Sequence, residues 1–343
     1  MALDERLSFL SESAPSALPR TVIFTHRAPS ASGDVELQYW PAANDSKPPE
    51  LIILFILGNP GLLNYYHLFL NQLYSLLPPS HAILATSHIG QSPSVSSVPV
   101  EPLDLPAHLA CKIELVDALN SEFDRTSENG LKTKICLMGH SVGAWLSCEV
   151  LKQRPDAVHA GYLLFPTLGW IADSWNGRLM WPIFQRPVRP LLSLVSPLLR
   201  PILPFTTFPD TTLSLLRSPS IIKHVLAMAK SEMDVIRAPD TEWFSAQSGK
   251  DDSTRGLFGL WAGGSLDGWV GKDGAIVRDA LGGEGERVKV LDGVPHAFCM
   301  AEEHSTIVAE VVASWVIPRK AAPSETKVER DVSQSALASV IPM

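Results

Sequence analysis

The sequence predicts an α/β fold with a mostly parallel, doubly wound sheet, and two observations carry this prediction. Short apolar runs, several rich in β-branched residues, alternate along the chain with segments whose apolar residues recur at helical spacing. Runs of this length suit parallel strands that are buried on both faces, and the alternation indicates strand–helix–strand units. The chain has 343 residues, of which 45% are hydrophobic and 19% charged, so it can form one large domain with an insertion or two ordinary domains.

The elements follow each other in a regular order. A hairpin is expected at 21–40, ending near Trp40. The predicted buried strands are LIILFIL (51–57), HAILATSH (81–88), KICLM (134–138), VHAGYLLFP (158–166), GLFGLWAG (256–263) and RVKVLDG (287–293). The predicted helices are 64–77, 105–123, 144–153 and about 301–316.

The alternation stops at 168 and resumes at 256, which predicts an insertion into one domain. Residues 21–167 and 256–318 are therefore assigned to the core, and 168–255 to an inserted cap. Residues 1–20 form a polar leader, and the tail at 319–343 is predicted to be disordered because it is polar and irregular.

A strand-to-helix turn carries the strongest chemical signal. The apolar run KICLM leads directly into Gly139-His140-Ser141-Val142-Gly143, which fits G-x-S-x-G, and a helical segment follows. This is the context of a nucleophile elbow, in which the serine is presented above the sheet and the two glycines leave room for the neighbouring strand and helix. The backbone N–H of Val142 then lies at a helix N-terminus, where it can stabilise an oxyanion. The α/β-hydrolase fold with Ser141 as nucleophile is the resulting prediction.

The loop after the first buried strand, Gly58-Asn59-Pro60-Gly61, is the expected source of a second oxyanion donor. Pro60 has no N–H, so the backbone of Asn59 is the best candidate. An ordinary turn around Pro60 is the alternative interpretation of the same four residues.

A serine nucleophile needs a base and an orienting acid, which follow it along the chain in this fold. His296 follows the last predicted strand and precedes the last helix, so its loop should open at the same sheet edge as Ser141. The other histidines considered fit less well: His159 opens a strand, His224 lies in the cap, and His304 lies inside the last helix.

Asp267 is the leading candidate for the acid. It lies in the loop GSLDGWV, which follows the strand before the one that leads to His296. Asp292 and Asp273 remain alternatives, although Asp292 is expected to belong to a turn.

Several of these segments together resemble the lipid droplet-associated hydrolases. The similar segments are LGNPGLLNYYHLFL, ATSHIG, GHSVGAW, LLFPTLGWIADSWNGRLM, GSLDGWV and VPHAF, and they extend from about 51 to 300. The resemblance implies the α/β-hydrolase fold and a Ser141–Asp267–His296 triad. It also implies association with the surface of the lipid droplet or endoplasmic reticulum, and ester lipids such as sterol esters or acylglycerols as substrates.

The cap contains a basic, apolar stretch. Residues 178–209 hold seven prolines and four arginines among many leucines, and 179–209 contain no Asp or Glu. Proline prevents one long spanning helix, and short apolar pieces edged with arginine suit insertion into one leaflet of a lipid surface. The alternative is a cap that packs these leucines over the active site, and both roles can hold together.

The composition argues against several other classes of protein. A net charge of −8 argues against nucleic acid as a partner. Asp4 and Glu5 stand where a signal peptide carries positive charge, and no apolar stretch of about 18 residues occurs, so an intracellular protein without a spanning helix is expected. The four cysteines match no zinc motif and suit a reducing compartment, and no metal or cofactor is expected.

Two other functions stay open: a non-catalytic lipid droplet protein that keeps the fold, and a soluble thioesterase or small-ester esterase.

Overall fold

The structure is a computed structural model. It describes residues 4–12, 17–44, 48–126, 132–186, 188–196, 210–248 and 254–317. The tail predicted to be disordered, 319–343, lies outside the described residues, as does 197–209 of the basic, apolar stretch.

Eight strands form one sheet. They are β1 Arg20–Ala28, β2 Ala31–Trp40, β3 Leu51–Ile56, β4 His81–Thr86, β5 Lys134–His140, β6 Ala160–Leu164, β7 Gly256–Ala262 and β8 Val288–Leu291. Their order in the sheet is β1-β2-β4-β3-β5-β6-β7-β8. The hairpin β1–β2 is antiparallel and joins β4 antiparallel, whereas all pairs from β4 to β8 are parallel. The prediction of a mostly parallel sheet is confirmed.

Burial explains why the strand sequences differ. Every residue of β3 and β6 is buried, which fits their continuous apolar runs, because helices cover both faces of the sheet. Strand β1 lies at the edge and alternates between exposed and buried residues over much of its length. On β3 the two faces separate with period two, since Ile52 and Leu54 pack into one core cluster and Ile53 and Phe55 into the other.

The helices lie in two layers around the sheet. Helices α1 His67–Leu76 and α10 Glu302–Val316 cover one face, and α2 Leu105–Thr126, α3 Val142–Gln153 and α9 Lys272–Ala280 contribute to the core on the other. Each helix places an apolar stripe against the sheet, which is the stable way to bury an amphipathic helix in this layered architecture.

The N-terminal segment contributes to the core despite its polar sequence. Glu5–Ser11 forms a 3-10 helix capped by the side chain of Asp4, and Leu7 and Phe9 are buried. The ring of Phe9 packs edge-on against Tyr39 of β2, at 5.4 Å between centroids. These two apolar residues therefore cover the sheet near its antiparallel edge.

The insertion is helical in its described part. Its helices are α4 Trp175–Phe184, α5 Val188–Val195, α6 Asp210–Leu216, α7 Pro219–Val235 and α8 Thr241–Ser248. The chain leaves the sheet after β6 and returns to β7, the neighbouring strand, so the cap begins beyond the carboxyl end of β6. Within the described residues, no helix combines the length and the apolar character needed to cross a bilayer.

The turn between β5 and α3 requires a very close approach of backbones. A Cβ atom on Gly143 would lie 2.1 Å from the carbonyl oxygen of Ile56 on β3, and one on Gly139 would lie 2.2 Å from the carbonyl oxygen of Gly143. Only glycine lets the start of α3 rest against β3 at this distance. The glycines of the G-x-S-x-G motif therefore set the distance between the helix and the sheet.

Gly143→Ala should lower the free energy of unfolding by about 1–3 kcal/mol or more, because the added methyl group must push α3 away from β3. Gly285→Ala is the matched control, since a Cβ there meets no atom within 4 Å. Urea unfolding at equilibrium measures both, and the control should stay within about 0.5 kcal/mol of the wild type. Equal unfolding midpoints for the two variants would contradict the packing role of Gly143.

Candidate active site

Ser141 lies at the turn between β5 and α3 with an unusual backbone. Its φ is 55° and its ψ is −123°, in a region that a residue with a Cβ rarely adopts. Such strain costs of order 1–3 kcal/mol and persists only where the surroundings impose it. Here the N–H of Ser141 donates to the carbonyl of Leu164 on β6 at 3.0 Å, and α3 begins at the next residue. The hydroxyl is thus presented at the carboxyl edge of the sheet, next to a helix N-terminus.

The structure brings Ser141, His296 and Asp267 together. Nε2 of His296 lies 3.1 Å from Oγ of Ser141, and Nδ1 of His296 lies 2.7 Å from Oδ2 of Asp267. The other carboxylate oxygen of Asp267 accepts from the backbone N–H groups of Trp269 and Val270, at 2.9 and 3.2 Å. With Nδ1–H donating to the carboxylate, Nε2 is left unprotonated and can accept the serine hydroxyl proton.

The alternative acids have other partners. The carboxylate of Asp273 is buried and accepts from the N–H groups of Gly271 and Leu168, at 2.9 and 3.3 Å, and its burial raises its pKa. Asp292 packs against Gly263, where a Cβ would meet its Oδ1 at 2.1 Å. In the described part of the chain, neither carboxylate has a hydrogen bond to His296.

The other histidines considered from the sequence are also engaged elsewhere. Nε2 of His224 lies 3.0 Å from the carbonyl of Pro99, and Nε2 of His159 lies 3.1 Å from Oγ1 of Thr254. His304 lies within α10, as the sequence predicts.

A buried chain of hydrogen bonds connects the loops on the two sides of Ser141. The N–H of Gly58 donates to the hydroxyl oxygen of Tyr66 at 3.2 Å, and that hydroxyl lies 2.7 Å from Nδ1 of His140. Nε2 of His140 lies 3.0 Å from the carbonyl oxygen of His296. Because a carbonyl only accepts, Nε2 carries the proton of His140, and Nδ1 accepts from Tyr66. This chain holds the loop after β3 and the loop of His296 in fixed positions relative to Ser141.

Burial keeps this chain uncharged. It holds the pKa of His140 well below its usual value, and the neighbouring His296 lowers it further. Burial likewise raises the pKa of Tyr66 well above its usual value. A neutral imidazole that donates at one nitrogen and accepts at the other suits a buried position.

The two candidate oxyanion donors flank Ser141. Val142 is the first residue of α3, and a Cβ on Gly58, the residue before Asn59, would lie 3.2 Å from Cβ of Ser141. Among the described residues, the backbone N–H groups of Asn59 and Val142 have no acceptor. Both loops therefore carry backbone donors that are unpaired within the protein and adjoin the serine.

A cavity of about 410 Å³ opens at Ser141 and His296. Its walls come from the core and from the cap helices α4 and α7. The apolar or sulfur-containing residues in these walls are Pro60, Ile171, Met180, Ile183, Phe184, Val225, Leu226, Ala229, Met233, Trp269, Ala297, Cys299 and Met300. A cavity of this size and character suits a predominantly hydrocarbon ligand.

One carboxyl group interrupts the apolar wall. Glu232 of α7 lines the cavity and is only 5% exposed, and its Oε1 accepts from the side-chain Nδ2 of Asn59 at 2.8 Å. The same Nδ2 donates to the carbonyl of Val225 at 3.0 Å. Burial raises the pKa of Glu232 from 4.5 to about 8, although the hydrogen bond from Asn59 opposes this rise. The cap is therefore linked to the loop after β3 through a carboxyl that is protonated near neutral pH.

Three residues of this region were not identified from the sequence: His140, Tyr66 and Glu232. The position of His140 inside G-x-S-x-G was a usable signal, because the motif alone places it beside the nucleophile. Tyr66 is the last residue of a 3-10 helix directly before α1, and Glu232 lies in a cap helix, so neither has a local pattern that points to Ser141. Among the described residues, no group of three or more His, Cys, Asp or Glu side chains is arranged to hold a metal ion.

Comparison with known families gives one match over most of the chain. The model of the lipid-droplet associated hydrolase family matches residues 49–299. Among curated relatives, the lipid droplet-associated hydrolase of Gallus gallus is 32% identical over 143 residues, which are 39% of this chain and 42% of the relative. That of Homo sapiens is 32% identical over 146 residues, 40% of this chain and 44% of the relative. The chain thus spans less than half of the length of these two relatives. The relative from Dictyostelium discoideum is 24% identical over 280 residues, 78% of this chain and 88% of that protein.

Solved structures show the fold. The haloalkane dehalogenase DbeA from Bradyrhizobium elkani matches with a TM-score of 0.60 and 15% identity, over 87% of this chain and 98% of that one. A serine hydrolase from Cycloclasticus zankles matches with a TM-score of 0.58 and 15% identity, over 86% and 97%. At this identity the likeness establishes the fold alone, and it confirms the predicted α/β-hydrolase fold.

Glu232→Gln should change how stability depends on pH. Between pH 4.5 and about 8 the carboxyl of Glu232 binds a proton in the folded protein and is ionised in the unfolded chain. Its contribution to stability is therefore full below pH 4.5 and is lost as the pH rises towards 8. We expect the free energy of unfolding of the variant, relative to wild type, to increase between pH 5 and 8 and then to level off. Urea unfolding at several pH values measures this difference, and a difference independent of pH would contradict it.

Proposed function

Because the chain belongs to the lipid droplet-associated hydrolase family, we propose that it is a serine hydrolase that cleaves lipid esters. The observation that carries this proposal is the pair of contacts at His296, at 3.1 Å to Ser141 and 2.7 Å to Asp267. A hydroxyl, an imidazole and a carboxylate in this arrangement form the machinery for acyl transfer to serine.

The proposed reaction has two stages. Oγ of Ser141 attacks the carbonyl carbon of the ester while Nε2 of His296 takes its proton, and the backbone N–H groups of Val142 and Asn59 stabilise the oxyanion. His296 then returns the proton to the departing alcohol, which leaves an acyl-enzyme on Ser141. A water molecule, deprotonated by the same imidazole, attacks the acyl carbon. As the second oxyanion collapses, the bond from the carbon to Oγ breaks and the imidazolium returns its proton to Oγ, which releases the fatty acid and the free serine. Asp267 holds the imidazole in the required tautomer throughout.

The apolar cavity supports a lipid as the substrate. Its walls offer long hydrocarbon surface beside Ser141, and sterol esters or acylglycerols are the ester lipids that the family resemblance implies. Water is poorly accommodated by such walls, so a hydrocarbon chain gains free energy by leaving water for them.

The cap helices also offer a surface for lipid. Trp175 and Leu179 of α4 and Leu191 and Leu194 of α5 are exposed, with exposed fractions between 59% and 76%. Arg178 and Arg186 are exposed in the same segment. Apolar side chains accompanied by arginines suit shallow insertion into a phospholipid monolayer, where the guanidinium groups meet phosphates. We therefore propose that α4 and α5 contact the surface of the lipid droplet or the endoplasmic reticulum.

Ser141→Ala should abolish labelling by a fluorophosphonate probe, because the probe forms a bond to an activated serine. Asp267→Asn should reduce the rate of ester hydrolysis by about 10⁴, since the imidazole would adopt the wrong tautomer. Gel fluorescence and hydrolysis of a 4-nitrophenyl ester are the respective measurements.

Ser314→Ala and Asp292→Asn are the matched controls. Ser314 is exposed on α10, and Asp292 is the alternative acid that has no hydrogen bond to His296 in the described residues. Both controls should keep labelling and hydrolysis within twofold of wild type. Undiminished labelling of Ser141→Ala, or a larger loss in Asp292→Asn than in Asp267→Asn, would count against the proposed triad.

A variant that combines Trp175→Ser, Leu179→Ser, Leu191→Ser and Leu194→Ser should bind lipid droplets at least about tenfold more weakly. Each large apolar side chain gains on the order of 1.5–3 kcal/mol when it is fully buried in lipid. Flotation with triolein emulsions coated with phospholipid measures binding. The control carries Ile23→Ser and Val100→Ser, two exposed apolar residues far from α4 and α5 in the chain, and it should float like wild type. Equal flotation of the two variants would exclude this surface.

A further inference from the structure

The carboxyl group of Glu232 has an unused hydrogen-bonding capacity inside the cavity. Its Oε1 is occupied by Nδ2 of Asn59, whereas its Oε2 has no partner among the described residues. Oε2 is not fully buried, and Glu232 lines the cavity, so this oxygen can meet a ligand. Beside walls that are largely apolar, a carboxyl oxygen gives a polar group of the ligand a hydrogen-bond partner. The residue is therefore best explained by a polar group that enters the cavity from outside the protein.

The neighbouring amide is not open to a ligand. Oδ1 of Asn59 is buried and has no hydrogen-bond partner in the described residues, while Nδ2 is fully used by Glu232 and Val225. A protonated carboxyl of Glu232 can donate one hydrogen bond and accept another through Oε2. A hydroxyl group satisfies both, because it accepts one hydrogen bond and donates another.

This polar pair lies close to the position of bond cleavage. Asn59 directly follows Gly58, and a Cβ on Gly58 would be 3.2 Å from Cβ of Ser141. Glu232 is one hydrogen bond from the Asn59 side chain and lines the same cavity as Ser141. A substrate group that meets Glu232 must therefore lie near the ester bond rather than at the distant end of a fatty acyl chain.

We propose that Glu232, held in place by Asn59, binds a free hydroxyl group that the substrate carries close to its ester bond. This inference rests on the proposed hydrolase function and narrows its substrates to hydroxy esters. Partial acylglycerols, with a hydroxyl on the alcohol part, and esters of 3-hydroxy acids, with a hydroxyl on the acyl part, both present this chemistry. Triacylglycerols and simple sterol esters do not, because their hydroxyl groups are esterified.

The test compares three decanoyl esters that differ only in their hydroxyl groups. They are 1-decanoylglycerol, propyl 3-hydroxydecanoate and propyl decanoate, and kcat/KM is measured for each with the full chain. In wild type, at least one hydroxy ester should be preferred over propyl decanoate by about tenfold or more, because a site built to bind a hydroxyl discriminates against the analogue without it. The preferred hydroxy ester identifies which part of the substrate carries the hydroxyl.

Three variants separate recognition from structural roles. Glu232→Met removes the polar group and should bring the ratio of hydroxy ester to propyl ester close to one. Glu232→Gln keeps an oxygen for Asn59 and an N–H group for the ligand, so it should retain most of the preference. Met233→Leu is the matched control, since it alters the apolar wall of the same cavity at similar volume and should leave the ratio at its wild-type value.

The ratio distinguishes this proposal from the alternatives. If Glu232 only positioned Asn59, Glu232→Met would slow all three esters equally and leave the ratio unchanged, which overturns the proposal. The same conclusion follows if wild type shows no preference, as expected if a bound water satisfies Glu232.

A binding assay covers the case in which no ester is hydrolysed. That outcome would refute the proposed function, and the hydroxyl site would then be tested with ethers that cannot be cleaved. 1-O-Decylglycerol should raise the Tm of wild type and Glu232→Gln more than decyl propyl ether does, and this difference should vanish in Glu232→Met. Equal shifts for the two ethers in wild type would overturn the hydroxyl site itself.

Discussion

The parallel alignment of β3, β5, β7 and β8 is the constraint on which the rest of the site depends. Parallel strands present all their carboxyl ends at one edge, so the loops that follow them meet there although they are far apart in the chain. Ser141 follows β5, Asp267 follows β7 and His296 follows β8. The contact between Ser141 and His296 therefore joins residues 155 positions apart without any long-range pattern in the sequence.

The close approach of the backbones of α3 and β3 determines where the loops around Ser141 lie. Gly143 rests against the carbonyl of Ile56, which brings the N-terminus of α3 and the loop after β3 to the same point. The chain from Gly58 through Tyr66 and His140 then fixes the loop of His296 with neutral hydrogen bonds. A buried network of neutral groups rigidifies a structure only when each of its donors and acceptors has a hydrogen-bond partner. The network therefore specifies one arrangement of these side chains. The backbone strain at Ser141 is maintained by this same packing.

The parts of the molecule that depend on local patterns could be predicted from the sequence. The strand β5 was predicted because its apolar run is buried on both faces, and Ser141 because the motif follows that strand immediately. Asp267 and His296 could be chosen because the order of elements dictates which loops share an edge. Glu232 could not be found in this way, because its role depends on α7 folding back over the sheet to meet Asn59, 173 residues earlier in the chain. Leu7 and Phe9 escaped notice for a similar reason, since a polar segment gives no indication of which two apolar residues it buries.

Helix α4 contributes both to the wall of the cavity and to the exposed apolar surface of the cap. Met180, Ile183 and Phe184 line the cavity, whereas Trp175 and Leu179 of the same helix are exposed. A soluble enzyme would gain stability by burying such residues, and exposed apolar groups carry a risk of aggregation. Under the proposed function these residues have a physical role, because a lipid ester that leaves the lipid would then reach the serine along one apolar helix without entering water. The cost of hydrating the substrate would be avoided, and the proposed surface binding and the proposed hydrolysis would then share one helix.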